Sequence, residues 1–264
     1  SSCLSVNLGI RWDYETDALN NDYVTPANVV SELTGKVPPN YFTDGTQRPV
    51  YTHQFQPRVG FTYDISRKGT TILFGGWGRY FDRDTYNYVL DEKFRLQHTV
   101  LQFLFSDDGQ PRNGVPTILW NDSYLSKAGL EGLVASGNAP KPQVFLVNNN
   151  TKPPVSDQYS AGVRQQLGLW GISAAYAGSR SKSGYTYIWN NFPCCQHPAP
   201  DFAEVLISDA DKRGWYDAFL LGVNKAYTTS SRWGMTLAYT YGKARGTGGD
   251  LFSLDYVNVD AYPK

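Results

Sequence analysis

Apolar and polar residues alternate from the start of the chain. In "LSVNLGIRWDY" (4–14), Leu4, Val6, Leu8, Ile10, Trp12 and Tyr14 take every second position, with Ser5, Asn7, Gly9, Arg11 and Asp13 between them. A period of two sends successive side chains to opposite faces of a strand, so the segment predicts a strand with one greasy and one polar face. The pattern returns in "FQPRVGFTYDI" (55–65), in the Gly-rich "TTILFGGWGRYF" (70–81) and in "VSDQYSAGVRQQL" (155–167). It returns again in "WGISAAYAG" (170–178), "WYDAFLLGVNKAY" (215–227) and "WGMTLAYTY" (233–241). Seven strands follow, near 3–14, 55–65, 70–81, 155–167, 169–178, 215–227 and 232–242. Most are close to the ~9–11 residues with which a tilted strand crosses a bilayer.

The connections decide which solvent the greasy faces meet. Strands two and three are joined by "SRKG", four and five by little more than "GL", six and seven by "TTSSR". The alternate connections are long, roughly 40, 70 and 35 residues (15–54, 82–154 and 179–214), where compact soluble domains use about 2–6. Short turns at one end and large loops at the other are the mark of an outer-membrane barrel. The expected fold is all-β, an antiparallel transmembrane β-barrel segment of about seven strands with long extracellular loops. A secreted soluble β-sandwich that binds carbohydrate through exposed Trp and Tyr is the alternative, and the loop asymmetry disfavours it.

Composition strengthens the membrane reading. The chain is 15% aromatic, with 19 Tyr and 7 Trp against one Met. Such residues suit positions with one apolar and one wet end. With strand one running outward, Trp12, Tyr14, Phe55, Trp77, Phe81, Tyr159, Tyr176, Tyr239 and Tyr241 fall at the outer interface. Tyr63, Trp170, Tyr227 and Trp233 fall at the periplasmic one. The polar faces carry Asn7, Gly9, Arg11, Arg58, Gly60 and Thr62, as a wet lumen requires. Charge is balanced, 24 basic against 24 acidic residues, and scattered, which argues against a nucleic-acid partner. No run approaches the ~18 apolar residues of a spanning helix. "SSCLSV" is no signal peptide.

Several of these stretches resemble the barrel of TonB-dependent receptors, specifically the Oar-like group. They are "LSVNLGIRWDY", "FQPRVGFTYD", "TILFGGWGRYFDR", "SDQYSAGVRQQL" and "WYDAFLLGVNKAY" leading to "WGMTLAYTYGKA", in the family's order and approximate spacing. The resemblance implies an internal part of a barrel of about 22 strands, with the plug domain absent from this chain. It implies energised uptake of an extracellular solute across the bacterial outer membrane. The partners would be outer-membrane lipid, that solute and the TonB energy-coupling complex, reached through the missing N-terminal part. A passive porin is the weaker transport alternative.

Candidate chemistry is sparse. Cys194 and Cys195 in "CCQH" suit a vicinal disulfide better than a metal site, which needs three or four ligands. "DRDTYN" (82–87) has calcium-like oxygen spacing without the Gly and distal Glu of an EF-hand loop. "GKARGTGGD" (242–250) fails as a phosphate loop because Ala follows Lys243. No nucleophile–base set is identifiable among three His, so no enzyme activity, cofactor or metal is expected. Arg95 and Arg112 (anion contacts) with Trp120, Tyr187 and Trp189 (stacking surfaces) are the candidate ligand-contacting loop residues. "SKAGLEGLVASG" (126–137) predicts a short helix capped by Ser126 and stopped by Gly137. "DEKFRLQHTVLQFLF" (91–105) is open between a helix and a strand pair.

Overall fold

The computed structural model describes residues 3–83, 86–97, 103–112, 115–138, 141–189, 199, 201–202 and 204–247. Cys194 and Cys195 lie outside them, as does Asp84 of the calcium-like motif. Ten strands occur among the described residues: β1 (Leu4–Asp13), β2 (Gln54–Asp64), β3 (Thr71–Phe81), β4 (Phe105–Ser106), β5 (Ile118–Leu119), β6 (Gln143–Leu146), β7 (Val155–Leu167), β8 (Trp170–Trp189), β9 (Glu204–Lys225) and β10 (Met235–Gly246). Three α-helices lie between them: α1 (Ala27–Leu33), α2 (Tyr86–Gln97) and α3 (Lys127–Leu133). Among the described residues, no helix is long and apolar enough to cross a membrane.

Seven strands form an open antiparallel wall in the order β1-β2-β3-β7-β8-β9-β10, each hydrogen-bonded to the next along the chain. The hairpin turns are tight because their residues suit them. Between β2 and β3, the Asp64 carboxylate accepts from the Ser66 hydroxyl and the Gly69 N–H, both at 2.7 Å. The Ser66 oxygen in turn accepts from the Thr70 N–H at 3.0 Å. Gly69 (φ 74°) supplies a left-handed backbone there, as Gly168 (φ 59°) does between β7 and β8.

The register keeps every greasy face on one side. Leu8 pairs with Val59, Val59 with Trp77, and Trp77 with Tyr159. That side lies open: Leu8 is 79% and Ile10 73% exposed, and Phe55, Phe219, Leu237 and Tyr241 are also exposed. Apolar side chains in this state need lipid as their solvent. Two aromatic levels border the band. Trp12 stacks on Tyr14 at 5.8 Å and meets Phe55 at 6.4 Å, while Tyr159 and Tyr176 lie 6.1 Å apart. At the short-turn end, Trp170 meets Trp233 edge-on at 5.9 Å.

The structure corrects the reach of two strands. β8 was expected to stop near 178 and runs to Trp189; β9 was expected from 215 and starts at Glu204. At 20 and 22 residues they exceed what a bilayer needs, and their outer halves stand clear of it as a hairpin. The long connection expected over 179–214 is therefore strand at 179–189 and again at 204–214. Above the membrane no lipid faces these halves, so their sequence has no reason to alternate. The segment 91–105, left open between helix and strands, supplies most of α2 and, at Phe105, the start of β4. β4 pairs in parallel with β5.

The buried core is not in the wall. Val29 and Leu33 of α1, with Val37 and Tyr41, pack on Val144, Leu146, Phe202, Val205 and Ile207. A second cluster joins Leu19, Val89, Val147 and Tyr185. These residues come from the long loops and the outer hairpin, so the loops fold into a cap with an interior of its own. β6 adds in parallel to the outer part of β9, from Gln143↔Glu204 to Leu146↔Ile207, fastening the second long loop to the wall.

Candidate functional site

Three places bring chemistry together: a buried node in the cap, an aromatic groove on the second long loop, and a hollow in the lumen wall. At the node, Arg48 faces Glu92 with both side chains fully buried. The guanidinium donates twice to the carboxylate (2.6 and 2.8 Å), to the Leu19 and Val147 carbonyls (3.1 and 3.0 Å) and to Asn149 Oδ1 (2.9 Å). All five donors of an arginine fork are thereby used. Glu92 also accepts the Val147 N–H at 2.9 Å. Burial raises the Glu92 carboxyl above the ordinary glutamate value, opposed by the Arg48 fork and the Val147 N–H. Burial likewise raises the Tyr23 phenol, whose ring lies 5.9 Å from the Arg48 guanidinium carbon. The pair ties the first long loop to the second, 44 residues apart.

The sequence reading missed this node, although a signal existed. On α2, Val89, Glu92 and Leu96 follow helical spacing. Val89 and Leu96 pack against the two apolar clusters, which places the Glu92 carboxylate on the inward face. A carboxylate at such a position implies a buried cation, because an isolated one would be too costly.

The groove lies around Trp120. The Trp120 indole meets Phe105 edge-on at 5.3 Å and donates to Asp122 Oδ1 at 3.0 Å, while Tyr124 stacks on Phe105 at 5.2 Å. Next to them an open trench of about 790 Å³ is lined by Phe103, Phe105, Leu125, Leu130 and Val134. α3 supplies its far wall, and the Ser126 cap holds as expected, its hydroxyl accepting from the Gly129 N–H at 3.1 Å. Gly137 ends the helical run in left-handed geometry (φ 81°).

The other candidates are placed separately. Arg112 reaches Asp107 at 3.2 Å and Asp108 at 2.9 Å on the exposed surface. Arg95 pairs with Asp91 at 3.2 Å and lies 5.3 Å from the Phe145 ring. Tyr187 and Trp189 sit at the outer end of β8, opposite Ser208 and Leu206. The three candidates on the second long loop are thus not gathered around one point.

On the polar side of the wall, a hollow of about 640 Å³ spans β1 to β9. Small residues floor it, Gly9, Gly60, Gly76, Ser160 and Ala177; Arg58, Tyr80, Gln158 and Tyr216 rise around them. Arg58 stands 4.5 Å over the Tyr80 ring. Tyr80 itself lies so close over Gly78 that a Cβ there would meet its hydroxyl at 2.9 Å. The lumen face is thus flat at mid-height, with polar side chains around the flat area.

Among known proteins, the family described as the outer membrane beta barrel domain matches residues 1–263. No curated relative matches in sequence. Similar solved structures include the outer membrane transporter YddB from Escherichia coli, at 13% identity and a TM-score of 0.47, covering 76% of this chain and 21% of that one. The siderophore receptor PirA from Pseudomonas aeruginosa aligns at 11% identity and a TM-score of 0.38, covering 76% of this chain and 31% of that one. The pyoverdine outer membrane receptor FpvA from Pseudomonas aeruginosa PAO1, solved bound to pyoverdine, gives 14% identity and 0.37, covering 78% and 21%. The chain therefore spans between a fifth and a third of their length. The match over 1–263 sets aside the soluble β-sandwich. An open lipid-facing wall of antiparallel strands is what such a domain requires, and the chain belongs to the outer membrane β-barrel domain family of the bacterial outer membrane.

Proposed function

We propose that this barrel serves a receptor that captures an extracellular solute and imports it across the outer membrane in a TonB-dependent, energised manner. The observation that carries the reading is the cap. A passive pore gains nothing from external loops with their own core and a fully bonded buried ion pair. A receptor needs such a cap, because binding at low solute concentration requires a surface already ordered before the solute arrives. The ordered resemblance of the strand segments to TonB-dependent receptors supports the energised step, with the coupling complex engaged through a plug outside this chain.

In this reading Trp120, with Phe105 and Tyr124 beside the apolar trench, offers the main stacking surface. Arg112 and Arg95 offer anion contacts, and Tyr187 and Trp189 border the cap at the tip of the hairpin. Cys194 and Cys195 would close a vicinal disulfide in the oxidising exterior. The flat hollow around Gly60 and Gly76 is where the lumen admits a plug or a passing solute.

The test compares depletion of a defined mixture of solutes by cells with and without the complete protein, with and without a protonophore. Depletion that needs the protein and collapses with the protonophore is expected. Depletion that needs the protein yet survives loss of the proton-motive force would establish a passive porin instead.

A further inference from the structure

The luminal hollow holds one cation with bare backbone around it. In the register of the wall, Gly9↔Arg58, Arg58↔Gly78 and Gly78↔Gln158 form one row, and Asn7↔Gly60↔Gly76↔Ser160 form the next row toward the short-turn end. Arg58 therefore has a glycine on either side and small residues below it. With strands about 4.8 Å apart, no side chain fills the wall for a strand's width in either direction. Tyr80 lies along the wall over Gly78, where a Cβ would meet its ring, and the Arg58 guanidinium carbon stands 4.5 Å over that ring.

Stacking holds the guanidinium by its face and leaves its edge open. The N–H groups of the fork radiate in the plane of the group, and no hydrogen bond or ion pair joins them to any described residue. Arg58 does act through space on one carboxylate, that of Asp13. Both oxygens of that carboxylate are already engaged, one accepting from Arg11 at 2.7 Å and the other from Gln56 at 2.5 Å. Arg11 and Arg58 against Asp13 leave one positive charge over. The Asn7 and Gln158 amides and the Tyr80 and Tyr216 hydroxyls border the same hollow of about 640 Å³, so uncharged donors surround the surplus cation.

We infer that this hollow binds an oxyanion, the carboxylate or phosphate of the solute that the lumen admits. A planar fork with paired N–H donors meets such a group bidentately, which the point charge of a lysine does not. The flanking glycines give the oxyanion room to lie beside the guanidinium. The amides of Asn7 and Gln158 and the two phenol hydroxyls supply donors for its remaining lone pairs. That the oxyanion arrives on an imported solute rests on the receptor reading above; the site itself rests on the wall alone.

The test uses the intact outer-membrane protein in detergent and radiolabelled pyrophosphate as the probe, by equilibrium dialysis at constant ionic strength. Heat-modifiable electrophoretic mobility reports that each barrel is folded. Arg58→Gln should weaken binding about tenfold, as loss of a charge-assisted fork does. Arg58→Lys, which keeps the charge and loses the fork, should fall between. Arg232→Gln, which removes the same charge from the exposed turn after β9, should match wild type. No binding by wild type, equal binding by Arg58→Gln, or an equal fall in Arg232→Gln overturns the inference. A carboxylate from another part of the receptor already seated on Arg58 would give the first of these results. Dialysis involves no transport, so a failure of energised uptake leaves the site standing, and a failure of the site leaves the uptake reading standing.

Discussion

Leu8 and Asn7 are neighbours in sequence with opposite solvents. Leu8 is the most exposed apolar residue of the wall, and Asn7 borders the luminal hollow. Leu8→Arg should destabilise the barrel by about 2–4 kcal/mol, the cost of a basic residue near the bilayer midplane, while Asn7→Arg should be nearly neutral. Urea-midpoint measurements in lipid vesicles distinguish them, and equal losses would mean the two faces are assigned wrongly. Arg48 is the residue of greatest consequence in the cap. Arg48→Met leaves the Glu92 carboxylate buried without its partner and should cost about 3–5 kcal/mol locally. Hydrogen exchange across α2 and residues 144–149 should then rise, with exchange in β1–β3 unchanged. Adding Glu92→Leu should recover much of the loss, because a buried pair replaced by apolar groups is often neutral.

At the scale of elements, the β8–β9 hairpin is the mast on which the cap is assembled. It supplies Val205 and Ile207 to the cap core and pairs with β6. Replacing residues 182–212 by a short turn should leave the wall folded and heat-modifiable. The same change should make the loops at 15–53 and 82–154 sensitive to protease, and resistance there would refute the assignment of Val205 and Ile207 to the core. The lower halves of β8 and β9 were legible because lipid demands alternation, as in Ile172, Ala174 and Tyr176. The upper halves were not: in "SRSKSGYTYIW" and "EVLISDADKRG" neither face meets lipid, so no period of two is imposed. α1 was illegible for another reason. "ANVVSEL" is two turns long, begins after Pro26 without a side-chain cap, and is held by burial of Val29 and Leu33, not by local propensity.

For the molecule as a whole, the wall and the cap obey opposite rules. The wall exposes its apolar residues and keeps its lumen wet; the cap buries apolar residues as a soluble domain does. Strand order, turn positions and the two aromatic levels could be read from the chain because they repeat. The node of Arg48 and Glu92 joins positions 44 apart in segments without a shared period, and only the folded cap brings them together. The candidate site was legible in part: Trp120 does sit in an aromatic cluster, but its partners Phe105 and Tyr124 and the trench beside them emerge from tertiary packing.

The length of β9 sets how far the protein reaches from the membrane rim. About ten of its residues, from Arg213 up to Glu204, rise beyond the membrane rim. At roughly 3.3 Å each, and with a strand tilt of about 40°, they carry the outer end of β9 some 25 Å above that rim. Electrostatic potential in physiological salt decays over about 8 Å, so around three decay lengths separate the outer end of β9 from the membrane rim. The charges of the membrane rim are therefore screened at the outer end of the hairpin, where the field is set by the protein's own side chains.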